Sequence, residues 1–275
     1  MDCKRSDHIA CVDPRLLGGV QMSAAPWFVQ LVSPETAPAL LVCFPHAGGS
    51  VAHFRGLAQA LSGAYEVWAV NMPGHGARWA ERAPDDMVAL AGRLADELLP
   101  VVQSEGQETR PFAFLGHSLG ARLAFEVARC LRRRGERLPA CLFVAACAAP
   151  QVRPVGRTWH TLADDALLAE LAQYNGLPAE LLAEPELLAL FLPALRADLS
   201  MFETAVYTPE APFAFPICAL GASSDPLVDV QGLAAWREQT TGLFRLAVLA
   251  GDHFFLQKEA AATAAEITTL TADRI

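Results

Sequence analysis

One serine stands in a sequence setting that could make it a nucleophile. Residues 116–120 read GHSLG, a G-x-S-x-G motif that directly follows an apolar run and directly precedes an amphipathic one. A sharp turn from a strand into a helix forces strained backbone angles on the central serine and leaves no room for side chains two residues away on either side. The motif therefore predicts that Ser118 has a raised hydroxyl, and that Gly116 and Gly120 are glycines because of this crowding.

A serine hydroxyl is a poor nucleophile and needs a base within hydrogen-bond reach. In proteins with this strand-turn-helix motif, an acid and then a histidine follow the serine along the chain. His253 comes just after the last predicted strand, in the sequence AGDHFF, and we predict that it is the base. We interpret His160 as an ordinary polar residue, and we expect the His117 side chain to point away from the serine hydroxyl.

The acid that orients this base is expected near the end of another strand. Asp225 follows the predicted strand 217–221 in the sequence GASSDP, and the carboxyl ends of parallel strands gather catalytic loops at one edge of a sheet. We predict that Asp225 holds the imidazole tautomer and stabilises the imidazolium. Asp229 remains the weaker alternative, while Asp252 is next to His253 and cannot easily face its neighbour's ring.

Two backbone N–H groups are candidates for binding a negatively charged oxygen. The N–H of Leu119 lies at the start of the helix after Ser118, where an oxyanion would form. A second donor is expected from the loop after an early strand. Residues 44–50, which read FPHAGGS, form such a loop, and their small side chains allow the backbone to approach a ligand. We assign this role to Ala47, and we interpret the next such loop as a structural turn held by His75.

The elements that must position these residues are predicted from alternating apolar and amphipathic segments. Short continuous apolar runs separated by longer amphipathic ones are typical of an α/β protein with a mostly parallel sheet that is covered by helices on both faces. The helix after Ser118 has apolar residues every four positions. The predicted strands are 27–32, 40–44, 65–71, 112–115, 141–146, 217–221 and 244–250, and the predicted helices are 50–62, 86–104, 119–134, 231–241 and 257–271.

A helical insert interrupts this rhythm at about 151–214. Thr161 and Asp164 form a capping pair that predicts a first helix. A second helix, 185–206, is predicted to kink at Pro193. Its apolar residues occupy more than one face, so we expect it to be buried from solvent on both sides. Its second contact is either the insert's own helices or an apolar chamber for a substrate. The residues assigned to that chamber are Phe191, Leu195, Leu199 and Phe202.

Composition excludes several classes of protein. The chain has 275 residues and a mass of 29.5 kDa, enough for one large domain that needs no disulfide or metal to hold it. Hydrophobic residues make up 53% and charged residues 19%, which excludes a disordered chain and a coiled coil. The 21 basic and 30 acidic residues give a net charge of −9, which argues against binding to nucleic acid.

Location is predicted from the cysteines and the N-terminal sequence. The seven cysteines are odd in number and lack paired spacing, which indicates buried thiols in a reducing compartment. Residues 1–25 have no periodicity, and we interpret them as a flexible extension before a domain spanning 26–275. They contain no continuous apolar stretch like that of a secretory signal. We therefore predict a cytoplasmic protein that does not interact with membranes.

Five segments are FPHAGG at 44–49, PGHGAR at 73–78, GHSLGA at 116–121, GASSD at 221–225 and GDHFF at 251–255. Taken together, they resemble the type II thioesterases of polyketide and nonribosomal peptide assembly lines. The resemblance implies an α/β-hydrolase fold with a helical lid. It also implies hydrolysis of misprimed or stalled acyl groups from the phosphopantetheine arm of an acyl or peptidyl carrier protein. We expect no cofactor and no metal.

Two other functions remain compatible with these motifs. A carboxylesterase or an acyltransferase would keep the same three catalytic residues and differ in the lid and the acceptor. The sequence LGHSL at 115–119 also resembles the phosphopantetheine attachment site of peptidyl carrier domains. Such carriers are small all-helical domains, whereas here a strand is predicted before Ser118, and an acid and a histidine follow it.

Overall fold

A computed structural model describes residues 26–34, 37–103, 110–152, 158–174, 176–177, 181 and 184–271. The proposed extension, residues 1–25, lies outside them. Each of the seven predicted strands is confirmed to within two residues at either end. They are β1 (Phe28–Val32), β2 (Ala39–Phe44), β3 (Tyr65–Val70), β4 (Phe112–His117), β5 (Cys141–Ala145), β6 (Ile217–Ala222) and β7 (Phe244–Leu249).

The strands form one sheet in the order β1-β3-β2-β4-β5-β6-β7. β1 runs antiparallel to β3, and every other pair of neighbours in the sheet is parallel. The mostly parallel sheet expected from the apolar runs is thereby confirmed. Because the parallel strands are in register across the centre of the sheet, Phe44 at the end of β2 pairs with Gly116, and His117 at the end of β4 pairs with Ala145. The loops after these strands therefore meet at one edge.

Helices flank the sheet at the predicted positions, although three predicted helices are each divided; one of them, 257–271, is interrupted between Lys258 and Ala260. Residues 50–62 form a 3-10 helix, Val51–Phe54, followed by a short α-helix, and residues 231–241 form a short α-helix followed by a 3-10 helix, Ala235–Gln239. The α-helices are α1 (Arg55–Ala60), α2 (Met87–Val102), α3 (Leu119–Arg134), α4 (Asp164–Gln173), α5 (Pro185–Thr204), α6 (Val230–Ala234), α7 (Phe255–Lys258) and α8 (Ala260–Thr271).

The two faces of the sheet bury separate apolar cores. Along β2, every residue is buried, and alternate side chains enter opposite cores. Leu40 and Val42 join a core that includes residues of α2 and α3, whereas Leu41 and Cys43 join one that includes residues of α1 and α8. A strand covered on both faces needs apolar residues at consecutive positions, which explains the continuous apolar runs in the sequence.

The segment between β5 and β6 contains α4, α5 and the 3-10 helix Trp159–Thr161 in its described part. The predicted cap at Thr161 is wrong, because Ala163 occupies the capping position and the Thr161 hydroxyl donates to the carbonyl of Thr158. Arg196 on α5 instead holds this entry segment by donating to the carboxylate of Asp164, at 2.5 Å, and to two nearby carbonyls. A long-range contact thus replaces the local cap.

Helix α5 continues through Pro193 as a single helix of 20 residues. Its buried side chains begin at Leu192. An apolar cluster joins it to α4 and consists of Leu167, Leu171, Leu177, Leu192, Leu195 and Leu199. The expectation that the helix is buried from solvent on both sides is wrong for its first turns, since Leu187 and Leu190 are 54% and 59% exposed. No helix in the described ranges is both long and apolar enough to cross a membrane.

Candidate active site

Ser118 forms the turn between β4 and α3. Strand β4 ends at His117 and α3 begins at Leu119, so this one residue reverses the direction of the chain. Its φ of 54° and ψ of −116° are uncommon for a residue with a side chain, which confirms the predicted backbone strain. The N–H of Ser118 donates to the carbonyl of Ala145 on β5 at 2.8 Å, and this bond anchors the turn to the neighbouring strand.

The two glycines around this serine are confined by backbone atoms. A Cβ atom on Gly116 would lie 2.3 Å from Cα of Ala121, and one on Gly120 would lie 2.0 Å from the carbonyl oxygen of Phe44. Both distances are shorter than any real carbon contact. The prediction that crowding requires glycine at both positions is therefore confirmed.

The imidazole of His253 is held by one carboxylate. Its Nδ1 lies 2.9 Å from Oδ2 of Asp225, and both side chains are buried. The other oxygen, Oδ1, accepts the backbone N–H groups of Leu227 at 2.8 Å and Val228 at 3.3 Å, which fixes the orientation of the carboxylate. A neutral imidazole that donates from Nδ1 keeps a lone pair on Nε2, as a general base requires.

The two alternative carboxylates are engaged elsewhere. Oδ1 of Asp229 accepts the N–H of Gly232 at 2.7 Å and caps α6. Oδ2 of Asp252 lies 2.5 Å from Nζ of Lys258. Asp225 is therefore the carboxylate that pairs with the imidazole.

A cavity of about 370 Å³ brings the predicted residues together. Its wall includes the candidate nucleophile, base and acid, both candidate N–H donors, and three of the four predicted chamber residues. These are Ser118, His253, Asp225, Ala47, Leu119, Leu195, Leu199 and Phe202. A nucleophile, a base with its acid and an adjoining apolar space are the parts required for acyl transfer through a serine ester.

Phe191 does not lie in this wall. The Phe191 ring packs instead on Gly48. A Cβ atom added to Gly48 would lie 2.6 Å from Cζ of Phe191. The backbone of Gly48 has a φ of +74°, which favours glycine. Phe191 precedes Phe202 by eleven residues, about 16 Å along a helix, so the two rings lie at different ends of the insert's inner surface.

Comparison with known proteins decides which family has this arrangement. The family model for the thioesterase domain matches residues 39–270. The chain belongs to the thioesterase domain family. It is 36% identical over 230 residues to the gramicidin S biosynthesis protein GrsT of Aneurinibacillus migulanus, covering 84% of this chain and 88% of that protein.

Solved structures of type II thioesterases and related enzymes share the fold. RedJ, a thioesterase from the prodiginine biosynthetic pathway in Streptomyces coelicolor, is 37% identical, with a TM-score of 0.77 over 92% of this chain and 100% of that one. BorB, the type II thioesterase from the borrelidin biosynthetic cluster, is 37% identical, with a TM-score of 0.75 over 88% and 95%. The expected α/β-hydrolase fold and the resemblance to type II thioesterases are confirmed, and the protein is an enzyme that acts on thioesters.

A buried carboxylate joins the insert of this thioesterase to the loop that carries Ala47. Asp198 on α5 is 2% exposed, and its Oδ2 accepts the N–H of Gly48 at 2.8 Å. The same oxygen lies 2.8 Å from Nε2 of His75, whose Nδ1 lies 3.0 Å from the carbonyl oxygen of Pro73. His75 thus holds its own loop, as predicted, and also contacts the insert.

Charge and burial act in opposite directions on His75. Burial alone lowers the pKa of the imidazole, but the hydrogen bond and the negative charge of Asp198 outweigh it and raise the pKa above its usual value. Asp198 could not be identified as a functional residue from the sequence. Its only signal was a lone carboxylate in an apolar stretch of a helix, and a solvent-exposed position would give the same pattern.

Two further histidines support the site by binding its backbone, and His46 also lines the cavity. Nε2 of His117 lies 2.8 Å from the carbonyl oxygen of His253, and Nδ1 of His46 lies 2.9 Å from that of Ala47. Burial, together with neighbouring histidines, lowers the pKa of His46 to about 3 and that of His117 well below its usual value. Both rings are therefore neutral at pH 7, and they donate hydrogen bonds that fix the backbone of the candidate base and of the candidate oxyanion loop.

Proposed function

We propose that this thioesterase hydrolyses acyl groups from the phosphopantetheine arm of an acyl or peptidyl carrier protein in polyketide or nonribosomal peptide biosynthesis. It would thereby remove misprimed or stalled units. The observation that carries the proposal is that Ser118, His253 and Asp225 share one cavity, with the last two hydrogen-bonded at 2.9 Å. The similarity to GrsT of gramicidin S biosynthesis, RedJ of the prodiginine pathway and BorB of the borrelidin cluster supports it.

In the first half of the reaction, Ser118 Oγ attacks the carbonyl carbon of the thioester while His253 Nε2 takes the hydroxyl proton. Asp225 stabilises the imidazolium that forms. The carbonyl oxygen becomes an oxyanion, and the backbone N–H groups of Ala47 and Leu119 donate to it. When this intermediate collapses, the carbon–sulfur bond breaks, the thiol of the arm leaves with the proton from His253, and the acyl group remains on the serine as an ester.

In the second half, a water molecule attacks this ester and His253 takes the proton of the water. The bond between the acyl carbon and Oγ then breaks. The imidazolium returns its proton to Ser118, and the free acid leaves. No cofactor takes part in either half of this cycle.

The apolar part of the cavity is the proposed acyl chamber, and the helical insert at 151–214 is the proposed lid. The volume of about 370 Å³ is near the lower end of the range for small-molecule sites. A short acyl group fits this space better than a full-length polyketide or peptide chain, as the removal of misprimed units requires. Cys43, Cys130, Cys147 and Cys218 are free thiols, which supports a reducing, cytoplasmic location.

The experiment is a hydrolysis panel of carrier proteins loaded with acyl groups of different length and branching, followed by mass spectrometry of the carrier. We expect the wild-type enzyme to release free acid and regenerate the free thiol of the arm. Hydrolysis of simple esters with no action on any loaded carrier would indicate the carboxylesterase alternative. Transfer of the acyl group to an added alcohol or amine in preference to water would indicate the acyltransferase.

A further inference from the structure

An arginine lies in the wall of the cavity, one helical turn beyond Ser118. Arg122 is on α3, and residues four apart on a helix share a face with their Cβ atoms about 5–6 Å apart. Arg122 is 5% exposed. It lines both the cavity at Ser118 and an adjoining polar crevice of about 420 Å³, so it separates the two spaces. Its charge is thus within reach of an acyl group on the serine.

The guanidinium of Arg122 forms no ion pair within the described part of the chain. Its buried Nε has no hydrogen-bond partner there, and no carboxylate of the described ranges forms an ion pair with it. An arginine side chain stays protonated in proteins. A buried cation without a partner is costly to the folded state, and such groups persist where a ligand supplies the missing charge.

Each acidic group that lines the cavity at Ser118 is already engaged. Asp225 pairs with His253, and Asp229 caps α6. Glu203 accepts the backbone N–H groups of Trp159, at 3.0 Å, and of His160, at 3.1 Å. None of these carboxylates is therefore left to neutralise the arginine.

The groups nearest to Arg122 on its other sides are no better placed to compensate it. Glu126, the next acid along α3, pairs with Arg129 at 3.0 Å. Burial raises the pKa of the neighbouring Cys147 thiol to about 12, so this thiol is neutral at pH 7. The arrangement therefore leaves an unused positive charge at the wall of an otherwise largely apolar acyl space.

We propose that Arg122 determines acyl specificity by binding a carboxylate at the far end of the acyl group, so that short dicarboxylic half-thioesters are substrates. A guanidinium matches a carboxylate with two parallel N–H···O bonds, and both charges are shielded from water in the cavity. The proposal rests on the proposed function, since it concerns which acyl group enters the chamber.

The test compares two thioesters of equal carbon number, S-glutaryl- and S-pentanoyl-N-acetylcysteamine, which differ by a carboxylate in place of a methyl group. In Arg122→Met we expect the ratio of kcat/KM for glutaryl to that for pentanoyl to fall about 10-fold or more, because a hydrogen-bonded charge pair is lost. The matched control is Arg134→Met, which removes an arginine at the end of the same helix, where it pairs with Asp96, and leaves the ratio unchanged.

The Tm of the Arg122→Met variant distinguishes a role of Arg122 in specificity from a structural role. Replacing an unpaired buried charge with an apolar side chain of similar length should leave the Tm of Arg122→Met equal to or above that of the wild type. A lowered Tm together with an equal loss for both thioesters would overturn the proposal. So would an unchanged ratio.

The wild-type enzyme alone provides a second measurement if this variant does not fold. Glutarate should be a competitive inhibitor with an inhibition constant about 10-fold lower than that of pentanoate, because only glutarate has a second carboxylate to pair with Arg122. Equal inhibition overturns the proposal. If the wild type hydrolyses the pentanoyl thioester but not the glutaryl one, the role of Arg122 fails and the thioesterase function stands, whereas hydrolysis of neither thioester overturns both.

Discussion

At the scale of single residues, the site depends on a backbone strained at one position and hydrogen bonds that hold its neighbours. Ser118 has positive φ, while Asp225 is held by two N–H groups and in turn holds His253. The order of these three residues, their types and the crowding at the glycines could be predicted from the sequence, because a G-x-S-x-G turn is a local structure.

The first prediction concerns the proposed nucleophile. Ser118→Ala should lower kcat by several orders of magnitude with the Tm preserved, because the substitution removes the hydroxyl and adds no buried volume. His253→Ala should be about as damaging, and the double variant little worse than either, since the residues act as a unit. Rates are measured with an acyl carrier, and labelling by a fluorophosphonate reports the reactive serine. Retained turnover or labelling in Ser118→Ala would contradict the assignment.

The second prediction distinguishes two carboxylates that are four residues apart. Asp225→Asn should reduce kcat strongly because the imidazole loses the charge that stabilises its protonated form. Asp229→Asn is the matched control and should retain most of the activity, since the amide oxygen can still cap α6. Steady-state kinetics of both variants are compared. A larger loss in Asp229→Asn than in Asp225→Asn would reassign the acid.

At the scale of elements, the periodicity of α5 predicted an apolar helix but not how deep each side chain lies. Phe202 lines the cavity, whereas Phe191 packs on the loop that carries Ala47. The cap predicted at Thr161 is absent, and Arg196 holds this segment by binding Asp164 instead. A sequence pattern identifies the face of a helix, but the element that covers each turn depends on the tertiary packing.

The third prediction uses these two phenylalanines as a matched pair. Phe202→Ala enlarges the proposed acyl chamber and should shift the preferred acyl length upward, while turnover of a short p-nitrophenyl ester is kept. Phe191→Ala should instead lower kcat for all chain lengths alike, because it loosens the loop that holds a candidate oxyanion donor. The readout is kcat/KM across a series of straight-chain acyl thioesters.

If Phe202 is only a core residue, its substitution should destabilise the protein by roughly 3 to 5 kcal/mol and depress all substrates together. That outcome, seen as a lowered Tm with no change in length preference, would remove Phe202 from the chamber.

At the scale of the whole molecule, the insert and the main body are joined by contacts between residues far apart in sequence. Asp198 binds Gly48 across 150 residues, and His117 binds the carbonyl of His253 across 136. The seven strands and their helices could be predicted because each has its own apolar pattern. These two contacts could not, because no local pattern records which distant backbone group a buried polar side chain reaches.

The fourth prediction concerns how pH affects the contact between His75 and Asp198. The pKa of His75 is raised in the folded protein. Its interaction with Asp198 therefore stabilises the folded protein fully at pH values below the pKa of the unfolded imidazole, about 6.5. This stabilisation is lost as the pH rises through the pKa of the folded protein. In Asp198→Asn the amide oxygen can still accept from Gly48, but the charge is absent. The Tm difference between wild type and this variant should therefore shrink as the pH rises from 6 to 9. Parallel Tm curves would contradict a charged interaction.

The contact between α3 and the end of β2 has a consequence for how this enzyme can diversify. A Cβ atom on Gly120 would meet the carbonyl oxygen of Phe44, so the helix and the strand touch through main-chain atoms at that point. Main-chain contacts are the same whatever side chains surround them. Substitutions in the insert or the cores can thus alter which acyl groups are accepted while the reacting serine stays in register with the sheet, whereas no amino-acid replacement at Gly116 or Gly120 is neutral.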